Sequence, residues 1–258
     1  MLLEFLRFEL RFWLRGMMLW MFFFIIGTLV FAATSSDKIS VGGSLENTFR
    51  NAPYVIQNFY SIMGVFTLMM TTAFVNSAAG RDFAYGTQQI IFSTPIRKRD
   101  YLFGRFLGSV LIAVIPMLGI SVGILLSAVM PWNDAERWGP IVFAAHWKSI
   151  LVFAIPNTLF CGAFVFTIAV LTRSTVTSFL GSLFLLTGFV VSEVLTENLD
   201  NETLAGLIDP FGSRTFGLMT KYWTVADRNS MTVGWDGMLV WNRLLWLSVG
   251  AAMFAFAY

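Results

Sequence analysis

The chain has 258 residues, 57% hydrophobic and 12% charged, a balance that excludes a water-soluble globular domain, whose surface demands more charge. Seventeen Lys and Arg against fifteen Asp and Glu leave a net charge of +2, and no nucleic-acid partner is expected. A single cysteine, Cys161, excludes an internal disulfide, and a single histidine, His146, excludes a zinc site built from several histidines. The class that remains is an all-α polytopic membrane protein.

Residues 1–15 place Glu4, Arg7, Arg11 and Arg15 on one stripe of a helix with Leu, Phe and Trp filling most of the rest, the pattern of a helix lying in the interface. Glu9 falls about 140° from that stripe and spoils it. A plain basic flank to the first span is the alternative. The first span runs from Gly16 to Ala33 without a charge. Ala32-Ala33-Thr34 makes a poor cleavage site, so this is expected to be a retained anchor and not a signal peptide. An external loop over 34–57 follows, broken by Gly42-Gly43 and Pro53. The second span, Asn58 to Ala79, carries Ser61, Thr67, Thr71, Thr72, Asn76 and Ser77, groups that in lipid seek a neighbouring helix or a wet cavity, so it should lie centrally in the bundle.

Residues 80–105, GRDFAYGTQQIIFSTPIRKRDYLFGR, form a polar, basic island between two apolar runs. Gly86-Thr87 reads as a helix start with Thr87 as N-cap, and Ser93-Thr94-Pro95 ends that helix, because proline disfavours a helical residue before it. The short helix, roughly Gln88 to Ser93, shows Ile90, Ile91 and Phe92, and the Arg97-Lys98-Arg99 cluster after it suits lipid headgroups or an acidic partner.

The third span, Leu102 to Met130, would be about 43 Å long as a straight helix, so it must tilt or bend. Pro116 with Gly119 and Gly123 offers the kink, and Gly104 with Gly108 offers a close helix contact near the island. Trp132, Trp138, His146 and Trp147 read as an interfacial belt. The fourth span, Lys148 to Leu171, contains Pro156-Asn157-Thr158; its kink is functional or merely tolerated. The fifth span, Thr177 to Thr196, carries Thr187 and ends with Glu193 near the outer surface. Residues 197–240 are acidic and alternate apolar patches with breakers, which suggests short interfacial or re-entrant helices. The sixth span begins near Met238 and stops at Tyr258 with no basic flank, so the chain is expected to be a fragment or one half of a longer protein.

Charge sets the orientation. Segments 1–16, 80–101 and 172–177 hold eight Lys or Arg and four acids, whereas 34–59, 131–142 and 197–240 hold six and ten. Positive loops face the cytoplasm, so the amino terminus is expected inside, in a prokaryotic cytoplasmic membrane.

The island's order, GT, then apolar residues, STP, a basic cluster and YLFGRFLG, resembles the intracellular loop of type 2 ABC export permeases. The resemblance implies that the short helix is a coupling helix gripped by a separate dimeric ATPase, with Arg81, Asp82, Gly86, Thr87, Gln89, Ile90, Ile91, Phe92, Pro95, Arg97 and Arg99 as candidate contacts. It implies that 1–15 is an elbow helix and that a second permease bundle, from another copy or the rest of a longer chain, completes the pathway. It also implies that the second and fifth spans face that pathway, with Thr67, Thr71, Asn76 and Thr187 as candidate lining residues. Asp209-Pro210-Phe211-Gly212, Lys221-Tyr222-Trp223-Thr224, Asp227-Arg228-Asn229 and Trp241-Asn242-Arg243-Leu244-Leu245-Trp246 resemble the branch of that family whose long polypeptides carry a downstream zinc aminopeptidase of the membrane-alanyl type.

The chain has no GxxxxGK[ST] loop and no HExxH, so no cofactor is expected in it; ATP and Mg²⁺ belong to the partner ATPase, and any peptidase zinc lies outside these residues. No internal repeat is visible. An ATP-driven export permease without enzymatic activity of its own is the leading expectation. A membrane anchor for a peptidase and an ATP-independent carrier are the alternatives. The substrate class stays open among lipids, peptides and amphipathic drugs.

Overall fold

A computed structural model of the protein describes residues 1–36, 47–196 and 201–258, and every regular element in them is helical. The Gly42-Gly43 breaker and the charges at Asp37, Lys38, Glu46, Glu197 and Asp200 lie outside the described residues. The amphipathic stretch is helix α1 (Leu2–Leu14). Among the described residues, six helices are long and apolar enough to cross a membrane: α2 (Met17–Ser35), α3 (Pro53–Ala84), α5 (Lys98–Ala128), α6 (Phe143–Thr172), α7 (Thr175–Thr196) and α11 (Gly237–Ala257). The short α4 (Gln88–Phe92) lies between α3 and α5, and α8 (Glu202–Ile208), α9 (Ser213–Thr220) and α10 (Val225–Ser230) lie between α7 and α11. The chain is a polytopic, all-helical membrane protein.

Two spans are longer than their sequences suggest, each for a local reason. Helix α3 begins at Pro53 and not at Asn58, since proline is tolerated in the first turn, where its missing N–H would have had no partner. It also runs past Ala79 through Gly80 to Ala84, so Arg81 and Asp82 sit in its last turn and not in a loop. Helix α6 begins at Phe143, which brings His146 into a helix. His146 is buried there, in the first turn: its Nδ1 lies 2.8 Å from Ser121 Oγ, which lies 2.8 Å from the Tyr60 hydroxyl.

The prolines and Gly64 set the bends. Helix α5 tightens to a 3₁₀ turn at Ile115–Met117 around Pro116. Helix α6 widens to a π turn at Ile150–Ala154 directly before Pro156, which absorbs the clash a proline brings into a helix. The Thr158 hydroxyl donates to Ala154 O at 2.7 Å, not to Val152 O, the carbonyl whose usual donor Pro156 lacks. Helix α3 carries a 3₁₀ turn at Met63–Val65, where a Cβ on Gly64 would come within 2.5 Å of Asn157 Nδ2.

Glycines on α5 dock two different partners. A Cβ on Gly108 would stand 2.8 Å from Glu9 Cβ of α1, and one on Gly119 would stand 2.6 Å from Phe23 O of α2. Gly104 and Gly123 repeat these contacts a turn away, so α1 and α2 lie along one glycine face of α5 at van der Waals distance. Helices α6 and α3 are the most enclosed spans, with 78% and 67% of their apolar windows buried, and α7 is the least, at 11%. The hydroxyl-rich second span is thus central, and the fifth shows most of its surface outward.

Candidate functional site

Three chain segments bring four charges together beneath the bundle. Glu9 comes from α1, Arg81 and Asp82 from the last turn of α3, and Arg105 from the second turn of α5. The Arg81 guanidinium meets the Glu9 carboxylate with both nitrogens, each at 3.1 Å. Arg105 donates to Glu9 with one nitrogen and grips Asp82 with the other, at 2.7 and 2.6 Å to its two oxygens. The Tyr101 hydroxyl adds a bond of 2.7 Å to Asp82 Oδ2.

All four charged residues are buried, Glu9 completely, and two positive charges balance two negative ones. Charge removed from water this thoroughly persists only when paired and hydrogen-bonded, and removing one partner leaves an uncompensated buried charge. Aromatic faces close the cluster, with the Arg81 guanidinium 3.9 Å from the Phe12 ring centre and that of Arg105 5.2 Å from Phe8. The glycine pair explains how the cluster assembles: only without side chains at 104 and 108 does α1 come close enough for Glu9 to reach Arg105.

The short helix hangs directly from this cluster. Thr87 donates its N–H to Asp82 O at 2.9 Å, and its hydroxyl lies 3.3 Å from the same oxygen and 3.4 Å from Asp82 Oδ1. The chain turns into α4 through Gly86 at φ +69°, a left-handed conformation that favours glycine. Thr87 is the residue before the helix and its carbonyl accepts from Ile91 N–H at 3.1 Å, but its side chain caps nothing in α4 and ties back to α3. Ser93 and Thr94 close the far end by donating to Ile90 O and Ile91 O, just before Pro95. Helix α4 presents Gln89, Ile90 and Phe92 outward, Ile90 being 69% and Phe92 56% exposed, while Ile91 packs inward with Ile96. Pro95, Arg97, Lys98 and Arg99 are exposed beside it. Between α1 and α4 lies a cavity of about 830 Å³, walled by Phe5, Phe8, Ile90 and Ile91 and ending on Arg81 and Arg105.

The candidate residues thus separate by depth. Gln89, Ile90, Phe92, Pro95, Arg97 and Arg99 form an accessible surface, whereas Arg81 and Asp82 are buried behind it and reach it through Thr87. Glu9, Tyr101 and Arg105 complete the cluster, and sequence reasoning missed them. Their signal was the carboxylate that broke the α1 stripe and the Arg105 lying between two glycines of a close-packing face.

The pathway candidates do not converge. Thr67 and Thr71 are fully buried, Thr71 donating to Thr67 O at 2.9 Å, and the Thr67 hydroxyl has no partner among the described residues. Asn76 is buried on the same helix. Thr187 faces outward on α7 and bonds its own helix at Leu183 O. Helices α3 and α7 meet elsewhere, where the Thr72 and Ser182 hydroxyls lie 2.6 Å apart.

At the other side, two of the four late motifs, DPFG and WNRLLW, form one buried knot, whereas Lys221, Tyr222 and Thr224 of a third are exposed. Asp209 accepts from the N–H groups of Phe211 and Arg214, both at 2.8 Å, and from Ser213 Oγ at 3.0 Å, which shapes the DPFG turn. Arg243, 1% exposed, donates to Asn157 Oδ1 and to Phe211 O, both at 2.6 Å. Asn242 donates to Gly206 O and Asp209 O, and Trp246 to Leu207 O. The WNRLLW sequence therefore reads the backbone of 206–211 and pins it against α6 and α11.

No group of three or more metal-ligating side chains occurs among the described residues. What both ends offer is mechanical: buried polar joints that fix short helices to long ones. Comparison with curated proteins finds no match for the chain. A family model described as ABC-2 family transporter protein matches residues 5–239, from within the amphipathic helix to the start of the sixth span. With the match extending over most of its length, the chain belongs to the ABC-2 family of transporter proteins.

Proposed function

We propose that this chain is the transmembrane permease subunit of an ATP-driven exporter, with its amino terminus in the cytoplasm and α4 as the element on which a separate dimeric ATPase acts. ATP and Mg²⁺ are bound by that partner. The observation that carries this reading is the pairing of an exposed apolar tip, Ile90 and Phe92, with a buried anchor, Asp82, one step behind it. A push on α4 passes through Thr87 to Asp82, and from there through Arg105 and Glu9 to α5 and α1. Since buried ion pairs resist separation, α1, α3 and α5 move as one block against α7 and open a route between this bundle and a second one. The external knot's likeness to the peptidase-bearing branch supports a longer natural polypeptide with a zinc aminopeptidase further along.

Replacing Gln89 to Phe92 with Gly and Ser tests the reading. Loss of co-purification with a partner ABC ATPase, with the bundle still folded, is the expected result. Undiminished binding and transport would remove α4 from the mechanism.

A further inference from the structure

Apart from the coupling face, one groove has the form of a ligand site. It opens between α5, α6 and α11, has a volume of about 580 Å³, and is lined by Phe103, Phe106, Ala163, Leu247, Ala251 and Phe254, with Tyr258 at its end. Along α11 it follows the helix from Leu247 to Tyr258, about 16 Å at the helical rise. Its wall is apolar throughout, and it ends where Lys98 Nζ stands 5.1 Å from the Tyr258 ring centre and donates to the Tyr258 carbonyl.

Beside that end lies a second cavity of about 490 Å³, bounded by Ala257 and by Lys98, Arg105 and Arg173, with no carboxylate among the described residues lining it. Arg105 is committed to Glu9 and Asp82. Lys98 and Arg173 are exposed, and Arg173 lies over the Phe83 ring at 4.6 Å. An apolar slot thus ends beside two exposed cations, Lys98 and Arg173, and no Asp or Glu among the described residues lines the cavity they share.

We propose that this is a site for an anionic phospholipid of the leaflet next to α1, with an acyl chain in the slot along α11 and the headgroup phosphate at Lys98 and Arg173. A neutral lipid gains nothing from the cations, and a free anion gains nothing from the slot; only a ligand with both parts satisfies both. The site does not depend on the proposed motor coupling.

The test uses the chain reconstituted in bilayers containing phosphatidylglycerol or phosphatidylcholine, each bearing a photoreactive group in the acyl chain, with labelled peptides mapped by mass spectrometry. Phosphatidylglycerol is expected to label 247–258 and 103–106 on the order of tenfold more than phosphatidylcholine. The Lys98→Gln/Arg173→Gln variant removes that preference. Ala251→Phe, at an exposed position on the slot wall, lowers labelling of the slot and leaves the charges intact. Equal labelling by the two lipids, unchanged in both variants, means ordinary boundary lipid and overturns the proposal. Displacement of the label by inorganic phosphate means an anion site without a lipid and overturns it too.

Discussion

The two ends of the bundle solve the same problem with different chemistry. At each, a buried arginine fastens a short segment to long spans, but Arg105 is matched to carboxylates on two other segments, whereas Arg243 is held by an amide oxygen and a backbone carbonyl. The first joint is charge-balanced and links three helices, α1, α3 and α5. The second keeps the 209–212 turn in register through backbone carbonyls, and Asp209 spends its carboxylate on that turn. A joint built from full charges breaks only at high cost, so it suits a part that transmits force. A joint built from dipoles suits a part that must hold its shape.

Glu9→Ala should break the first joint most severely. Arg81 and Arg105 would face each other without the carboxylate between them, at a cost of about 3–5 kcal/mol. Thermal unfolding in detergent would measure this, and replacing Glu9 and Arg81 together with Leu should recover part of the loss, which a purely steric role for Glu9 does not predict.

Arg243→Met removes the cation of the second joint and leaves only neutral acceptors behind. The expected loss is smaller, about 1.5–3 kcal/mol for the charged hydrogen bonds. A loss larger than that of Glu9→Ala would erase the distinction between the two ends. Gly108→Ala sharpens the comparison without touching any charge: its new Cβ falls 2.8 Å from Glu9 Cβ, and overpacking of this kind costs about 1–3 kcal/mol. Cross-linking between α1 and α5 should weaken in step.

The smallest effect belongs to the short α10. Asp227 accepts from Thr224, and these bonds hold its carboxyl below the usual carboxylate range. A depressed value means that the cap is fully formed above the unfolded aspartate pKa of about 3.9 and is lost as the pH falls through the lowered folded value. Amide exchange at Asp227 and Arg228 should quicken only on strong acidification.

Much of this architecture is legible in the sequence because bilayer thickness dictates helix length. The spans, the amphipathic α1, the short α4 and its closure before Pro95 all follow from apolar runs and breakers. The joints were hidden because each depends on partners far apart in the chain. Glu9 is a blemish on a stripe until Arg81 and Arg105 stand beside it. Arg81 and Asp82 look like loop charges because nothing local shows that α3 runs on through Gly80. Asn157 beside Pro156 suggested only a kink, and its bond to Arg243 spans 86 positions. Thr187 stands apart from Thr67 and Thr71 for a related reason: helical periodicity gives it a face but not the neighbour that face meets.

The central claim is that α1, α3 and α5 travel together when α4 is pushed. Spin labels at Arg11 and Arg99, both exposed, report the distance within the block, and labels at Arg99 and Leu183 report it against α7. With the chain assembled on its ATPase, adding ATP should leave the first distance unchanged and shift the second. A change in the first with the second fixed would mean that α1 slides on α5 and that the buried charges carry no motion.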